Sequence, residues 1–109
     1  PYNDTWSFEF ESNTWREVKS HGKWPSPRWA CTLGGVASSS SSNKNQSNVD
    51  GLYVFGGKTK TKVPENNQLF RLDLTTGEWT QIKLKETSRY YHTCVVRDSQ
   101  LILAGGSTS

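Results

Sequence analysis

No run of the sequence approaches the roughly 18 consecutive apolar residues of a membrane span. The polar residues 1–4 lack the basic and apolar regions of a secretory leader, and with no methionine at the start the chain reads as a piece of a longer one. Cysteine is almost missing. Cys31 and Cys94 are the only two, too few for a disulfide framework in a chain of this size, so free thiols in a reducing compartment, the cytoplasm or nucleus, are expected. Two short Asn-x-Ser/Thr matches, at Asn3 and Asn45, keep a secreted setting open.

A dominant charge is lacking too. The balance of 13 Lys and Arg against 10 Asp and Glu, a net +3, is too mild to drive binding to nucleic acid or to a membrane surface. The set of soft ligands and nucleophile or base candidates is equally short, consisting of the two cysteines with His21 and His92. No pair has metal-site spacing such as Cys-x-x-Cys or His-x-x-x-His, and no Gly-x-Ser-x-Gly, phosphate loop or pair of catalytic carboxylates occurs. No catalytic, metal or cofactor residue is expected here.

Apolar residues make up only 32% of the chain, which predicts a thin core; five Trp, four Tyr and four Phe then have to carry much of the packing. Their placement repeats. Residues 4–15 (DTWSFEFESNTW) and 68–79 (QLFRLDLTTGEW) align 64 positions apart, with Trp6, Phe8 and Phe10 over Phe70, Leu72 and Leu74, and Trp15 over Trp79. Residues 28–32 (RWACT) lie over 89–93 (RYYHT) at 61, and Gly56-Gly57 over Gly105-Gly106 at 49. The shrinking offset places 12 extra residues in the first copy, at the serine- and asparagine-rich tract, so the underlying period is 49. That tract, 38–49, has no periodicity and almost nothing to bury, and is expected to be disordered.

Residues 8–10 and 70–74 alternate apolar and polar, as half-buried strands do, and each leads through a turn into its Trp. Asn13 and Gly77 hold equivalent turn positions, and these residue types accept positive φ at least cost. Residues 52–55, 94–96 and 101–104 are continuous apolar runs, expected to be inner strands covered on both faces.

The order Arg-x-x-x-Thr, apolar strand, Gly-Gly, alternating strand, turn and Trp resembles the kelch repeat, whose period is about 50. The resemblance covers nearly the whole chain; one departure is Cys31 where the second copy has His92. It implies an all-β fold, a kelch-type β-propeller segment built of four-stranded antiparallel blades. Residues 1–18 would then be the last half of one blade, 28–83 a full blade and 89–109 the first half of the next. A closed ring needs the remaining blades of the same propeller or further copies of the chain.

Because successive strands run antiparallel, the links at 58–66, 19–27 and 84–88 should share one end of the blades. That end collects Lys58, Lys60, Lys62, His21, Lys23, Lys83 and Lys85, with Trp24, Arg28, Trp29, Arg89 and Tyr90 beside them. The hairpin turns and the 37–50 insertion should share the other. Trp and Arg dominate interface energetics, and loops on a rigid scaffold carry binding residues. Trp24, Arg28, Trp29, Lys58, Lys60, Lys62, Arg89 and Tyr90 are therefore the candidate partner-binding residues, and a protein or acidic peptide would suit them. The structural alternative is that the arginines tie neighbouring loops, the rings pack between blades and the lysines are merely solvated. The glycine doublets and the two Trp at the ends of the alternating units read as architecture.

The expected function is a protein-interaction module, part of a kelch propeller in an intracellular scaffold, adaptor or substrate-recognition protein. The alternative is the propeller portion of a multidomain enzyme whose catalytic residues lie outside this segment.

Overall fold

A computed structural model describes residues 2–36, 51–60, 68–85, 89–97 and 100–108. Within them nine strands form: β1 (Trp6–Glu9), β2 (Thr14–Glu17), β3 (His21–Gly22), β4 (Thr32–Val36), β5 (Gly51–Phe55), β6 (Gln68–Asp73), β7 (Glu78–Lys83), β8 (Thr93–Arg97) and β9 (Gln100–Ala104). The described residues hold no helix, and so none long and apolar enough to cross a membrane. The serine-rich tract and Lys62 lie outside the described residues.

The central sheet has the order β3-β7-β6-β5-β4, flanked in sequence by the two-stranded sheets β1-β2 and β8-β9. Strands β4 to β7 pair antiparallel in chain order and make one four-stranded blade. Its registers set Leu52 opposite Leu72 and Leu72 opposite Trp79, so one apolar row crosses three strands on a single face. Phe70, Leu72 and Trp79 form the core, with Val18, Leu52 and Val54 packed against it. Leu72 is wholly buried. Each of these large side chains contributes about 1.5–3 kcal/mol by leaving water.

Both hairpins turn where the sequence suggests. Asn13 and Gly77 have φ of 53° and 76°, the left-handed conformation these residue types tolerate. The strands stop one residue sooner than the alternation implies, leaving Phe10 and Leu74 outside β1 and β6. For Leu74 the reason is the preceding aspartate, whose carboxylate accepts hydrogen bonds from the amides of Thr75 and Thr76 at 2.8 and 3.2 Å. A side chain that captures amides locally pulls the backbone out of the ladder.

Three further expectations are corrected. Trp15 is 65% exposed although its repeat counterpart Trp79 is 4% exposed, because an anchor is buried only where inner strands lie beneath it. The apolar runs of β8 and β9 are covered on one face; Val95 and Ile102 point outward and are exposed. Residues 21–22, expected in a connecting link, instead add a strand parallel to β7, pairing His21 with Glu78 and Gly22 with Trp79. This carries the link up the outer edge of the blade and puts His21 at the hairpin-turn end, away from Lys58.

The blade meets β8 through β4, and the contact depends on a missing side chain. A Cβ on Gly34 would lie 2.6 Å from Val96 Cγ2 and 3.3 Å from Cys94 Sγ. Glycine therefore lets the two sheets approach closely.

Candidate functional site

The loops at the ends of the inner strands are held by a repeated set of contacts. Arg28 Nη1 donates to the Gly56 carbonyl at 3.0 Å, and Arg89 Nη1 donates to the Gly105 carbonyl at 3.0 Å. Trp29 bridges to Lys58, and Tyr90 bridges to Ser107 in the equivalent place. The Arg28 guanidinium also sits 4.9 Å from the centre of the Phe70 ring and donates to the carbonyl and hydroxyl oxygens of Ser26. Both arginines thus do loop-holding work in this structure. That use follows from chemistry, since a planar guanidinium can satisfy carbonyls in several directions from one anchored position.

The two units are stitched to each other here. The Gly57 amide donates to the Arg89 carbonyl at 3.1 Å, and the Tyr91 amide donates to the Ala30 carbonyl at 3.1 Å. Ala30 and Tyr91 both take the left-handed conformation, with φ of 57° and 56°. Non-glycine residues pay for that conformation. Its recurrence 61 positions apart makes it part of the repeat, and at Tyr91 it aims an aromatic ring outward, 69% exposed.

Around this junction stands a compact group of rings and one cation. Lys58 Nζ lies 3.9 Å from the centre of the Tyr90 ring and 5.8 Å from that of Tyr91, and the two tyrosines meet edge to face at 5.4 Å. Trp29, joined to Lys58 through the backbone, is 42% exposed. Of the residues singled out from sequence, the structure brings together Trp29, Lys58, Tyr90 and the two arginines. Lys60 is exposed just beyond them. Trp24, also half exposed, follows Lys23 at the β7 edge, where the Lys23 amide donates to the Trp79 carbonyl. Tyr91 was missed as a candidate. The signal available was its alignment with Ala30, since a large ring over a small residue at the same repeat position marks a departure from architecture.

Beneath the rings His92 is buried. Its Nε2 lies 2.7 Å from Thr32 Oγ1, across the junction, and its ring meets Phe55 edge to face at 5.4 Å. Nδ1 is buried with no partner in hydrogen-bond geometry among the described residues. Burial holds its pKa below the ordinary imidazole value, and the Arg89 charge adds to that; the backbone of Arg89 and Phe55 pulls the other way. Nearby, burial raises the Cys94 thiol, opposed by a hydrogen bond from the Thr32 side chain. That thiol is held protonated rather than poised as a nucleophile.

The folded chain therefore binds the His92 proton less readily than the unfolded chain does. Stability tied to this group is present above the unfolded value of about 6.5 and is lost as pH falls from there toward the lower folded value. Urea midpoints measured at pH 7.5 and at 5.5 should drop more in the wild type than in His92→Gln. Equal drops would dissociate His92 from the effect.

Among the described residues no group of three or more His, Cys, Asp or Glu is placed to hold a metal ion. The recurring features are thus an arginine on a glycine carbonyl, a backbone bridge past each Gly-Gly and a Trp-bearing hairpin, set on antiparallel strands. No family model matches the chain. It is similar to Kelch domain-containing protein 10 from Bos taurus and from Homo sapiens, at 39% identity over 64 residues in each, covering 53% of this chain. Over those 64 residues the likeness supports a kelch-repeat fragment. The match spans 14% of those relatives' length. The described residues supply one complete antiparallel blade with strand pairs on either side of it in sequence, the arrangement expected of a propeller segment.

Proposed function

We propose that the chain is a protein-interaction part of a kelch propeller, binding an acidic peptide segment at the inner-strand loops where β4 and β8 meet. The observation that carries this reading is the cluster of Trp29, Lys58, Tyr90 and Tyr91, with Trp29 and Tyr91 exposed and Lys58 and Tyr90 half-buried, mounted on loops that are tied backbone to backbone. Such loops lose little entropy on binding, and aromatic rings beside a cation offer area and charge together. Lys60 extends the positive charge outward. The scaffold or adaptor setting, in the cytoplasm or nucleus, belongs to the same proposal; kelch repeats are generally interaction modules.

The test is an array of acidic and neutral peptides probed with the folded chain and with a Lys58→Glu, Tyr91→Ala variant. Tyr91 is exposed and the Lys58 side chain half-buried, and circular dichroism of the variant should match the wild type. Selected acidic peptides should bind the wild type and lose about tenfold or more in affinity to the variant, the size expected for losing a hot-spot residue. Undiminished binding by the folded variant would refute this location.

A further inference from the structure

One side chain joins the two units beneath the aromatic cluster, and the fold gives it nowhere to put a second proton. His92 is 5% exposed, follows Tyr91 in the chain and reaches across the junction to Thr32 of β4. A neutral imidazole has one proton for its two nitrogens, so the bond to Thr32 Oγ1 can form in either tautomer. The imidazolium must donate from both nitrogens. Nδ1 has no partner in hydrogen-bond geometry among the described residues. The ring is also closely enclosed, since a Cβ on Gly56 would lie 2.8 Å from Cε1 and one on Gly106 would lie 2.9 Å from Cβ.

The surroundings oppose an added charge. β4 presents the Thr32 hydroxyl, β5 the Phe55 ring, and β8 the Cys94 thiol, which burial keeps protonated. Among the described residues of the adjoining loops the charges are all positive: Arg28 on the Gly56 carbonyl, Lys58 over Tyr90, Lys60, and Arg89, whose charge acts on the imidazole itself. The backbone of Arg89 and Phe55 favours the cation, and burial with the Arg89 charge outweighs it. A buried cation with an unpartnered donor is costly, and the relief open to it is water.

From this we infer that His92 is a proton switch for the docking cluster: when protonated it leaves the junction for water, the loops part, and the acidic peptide is released. The inference rests on the reading of Trp29, Lys58, Tyr90 and Tyr91 as the docking site. The mechanical link is short. The Tyr91 amide is tied to the Ala30 carbonyl and the Gly57 amide to the Arg89 carbonyl, so a ring that swings out between them strains both bonds. Tyr91 and Lys58 then lose their fixed relation. Imidazole is the side chain that changes charge in mildly acidic solution. Because the folded value lies below the ordinary one, the closed form prevails above about pH 6.5 and opening sets in as pH falls below it. The switch belongs to this junction, since the other copy has Cys31 at the equivalent position.

Amide hydrogen exchange of the full chain, followed by NMR from pH 7.5 to pH 5.0 and corrected for the intrinsic pH dependence of exchange, reads the opening directly. Protection at Gly57 and Tyr91 should fall about threefold or more by pH 5.0 while the amides of the β5-β6 ladder keep theirs. His92→Gln, neutral throughout and still able to bond Thr32, should show no such fall. Affinity for an acidic peptide selected at pH 7.5 should drop by a similar factor in the wild type and hold in the variant, which also accounts for titration of the peptide's own carboxylates. Should the variant not fold, the wild-type opening must track the His92 ring signals and not those of His21. Unchanged protection at Gly57 and Tyr91, or a loss shared with the β5-β6 ladder, overturns the switch. If no acidic peptide binds at pH 7.5, the docking reading fails, and exchange by itself still decides whether the proton opens the junction.

Discussion

Trp79→Ala should cost the chain about 3–5 kcal/mol, the range for emptying a buried aromatic site. The indole is 4% exposed, lies in the row with Leu52 and Leu72, and donates from Nε1 to Ser20 Oγ at 3.1 Å. Its loss opens a cavity under Val18 and leaves β3 without its side-chain tie to β7. Trp15→Ala, at the matching repeat position, should cost less than about 1 kcal/mol, because a 65% exposed ring has little burial to lose. Urea denaturation followed by circular dichroism on both variants checks the pair. Equal losses would mean that Trp15 is buried in solution.

The second large effect is Gly56→Ala. A Cβ at this position would stand 2.1 Å from the Arg89 carbonyl oxygen and 2.8 Å from His92 Cε1, on a backbone with φ of 70°. The carbonyl is main chain and is itself the acceptor for the Gly57 amide, so relief requires the two units to move apart. A loss of about 3 kcal/mol or more is expected, from overpacking together with left-handed strain. Gly105→Ala is the matched control. Its φ is 75° but nothing lies within 4 Å of the added carbon, so only the strain of about 1–2 kcal/mol remains. Thermal denaturation of the two variants should separate them by several degrees. If the losses match, the close approach at Gly56 contributes nothing and conformational strain accounts for both.

These two pairs of variants show where sequence reading succeeds and where it stops. Trp15 and Trp79 are indistinguishable in the repeat, as are Gly56 and Gly105. The same is true of the chemistry around them, since each Arg donates to its own Gly carbonyl in both copies. Repetition reports what a unit needs locally. It is silent about which unit has a neighbour, and burial is a property of the neighbour.

The binding face divides in the same way. Arg28, Trp29, Lys58, Arg89 and Tyr90 could be collected from sequence because strand alternation and connectivity put their loops at one end. His21 was drawn toward that end by the same rule, yet its link runs along β7 and leaves it opposite Glu78. A two-residue parallel strand has no pattern to announce it. Gly34 gave no signal either, since a glycine inside a strand looks like a weak strand residue until Val96 and Cys94 are found against it. The left-handed Tyr91 is a further case, because a tyrosine carries no mark of positive φ.

The sequence by itself determined the repeat period, the all-β class, the two hairpins with Asn13 and Gly77 at their turns, and the kelch resemblance. All of these are set by residue type and spacing within about 50 positions. The tertiary structure alone decided that Trp79 is core while Trp15 is surface, that Gly34 and Gly56 admit the next strand pair, and that Lys58 caps the Tyr90 ring. Those outcomes depend on which surfaces meet, and close packing between sheets is fixed by shape complementarity that a one-dimensional pattern does not encode.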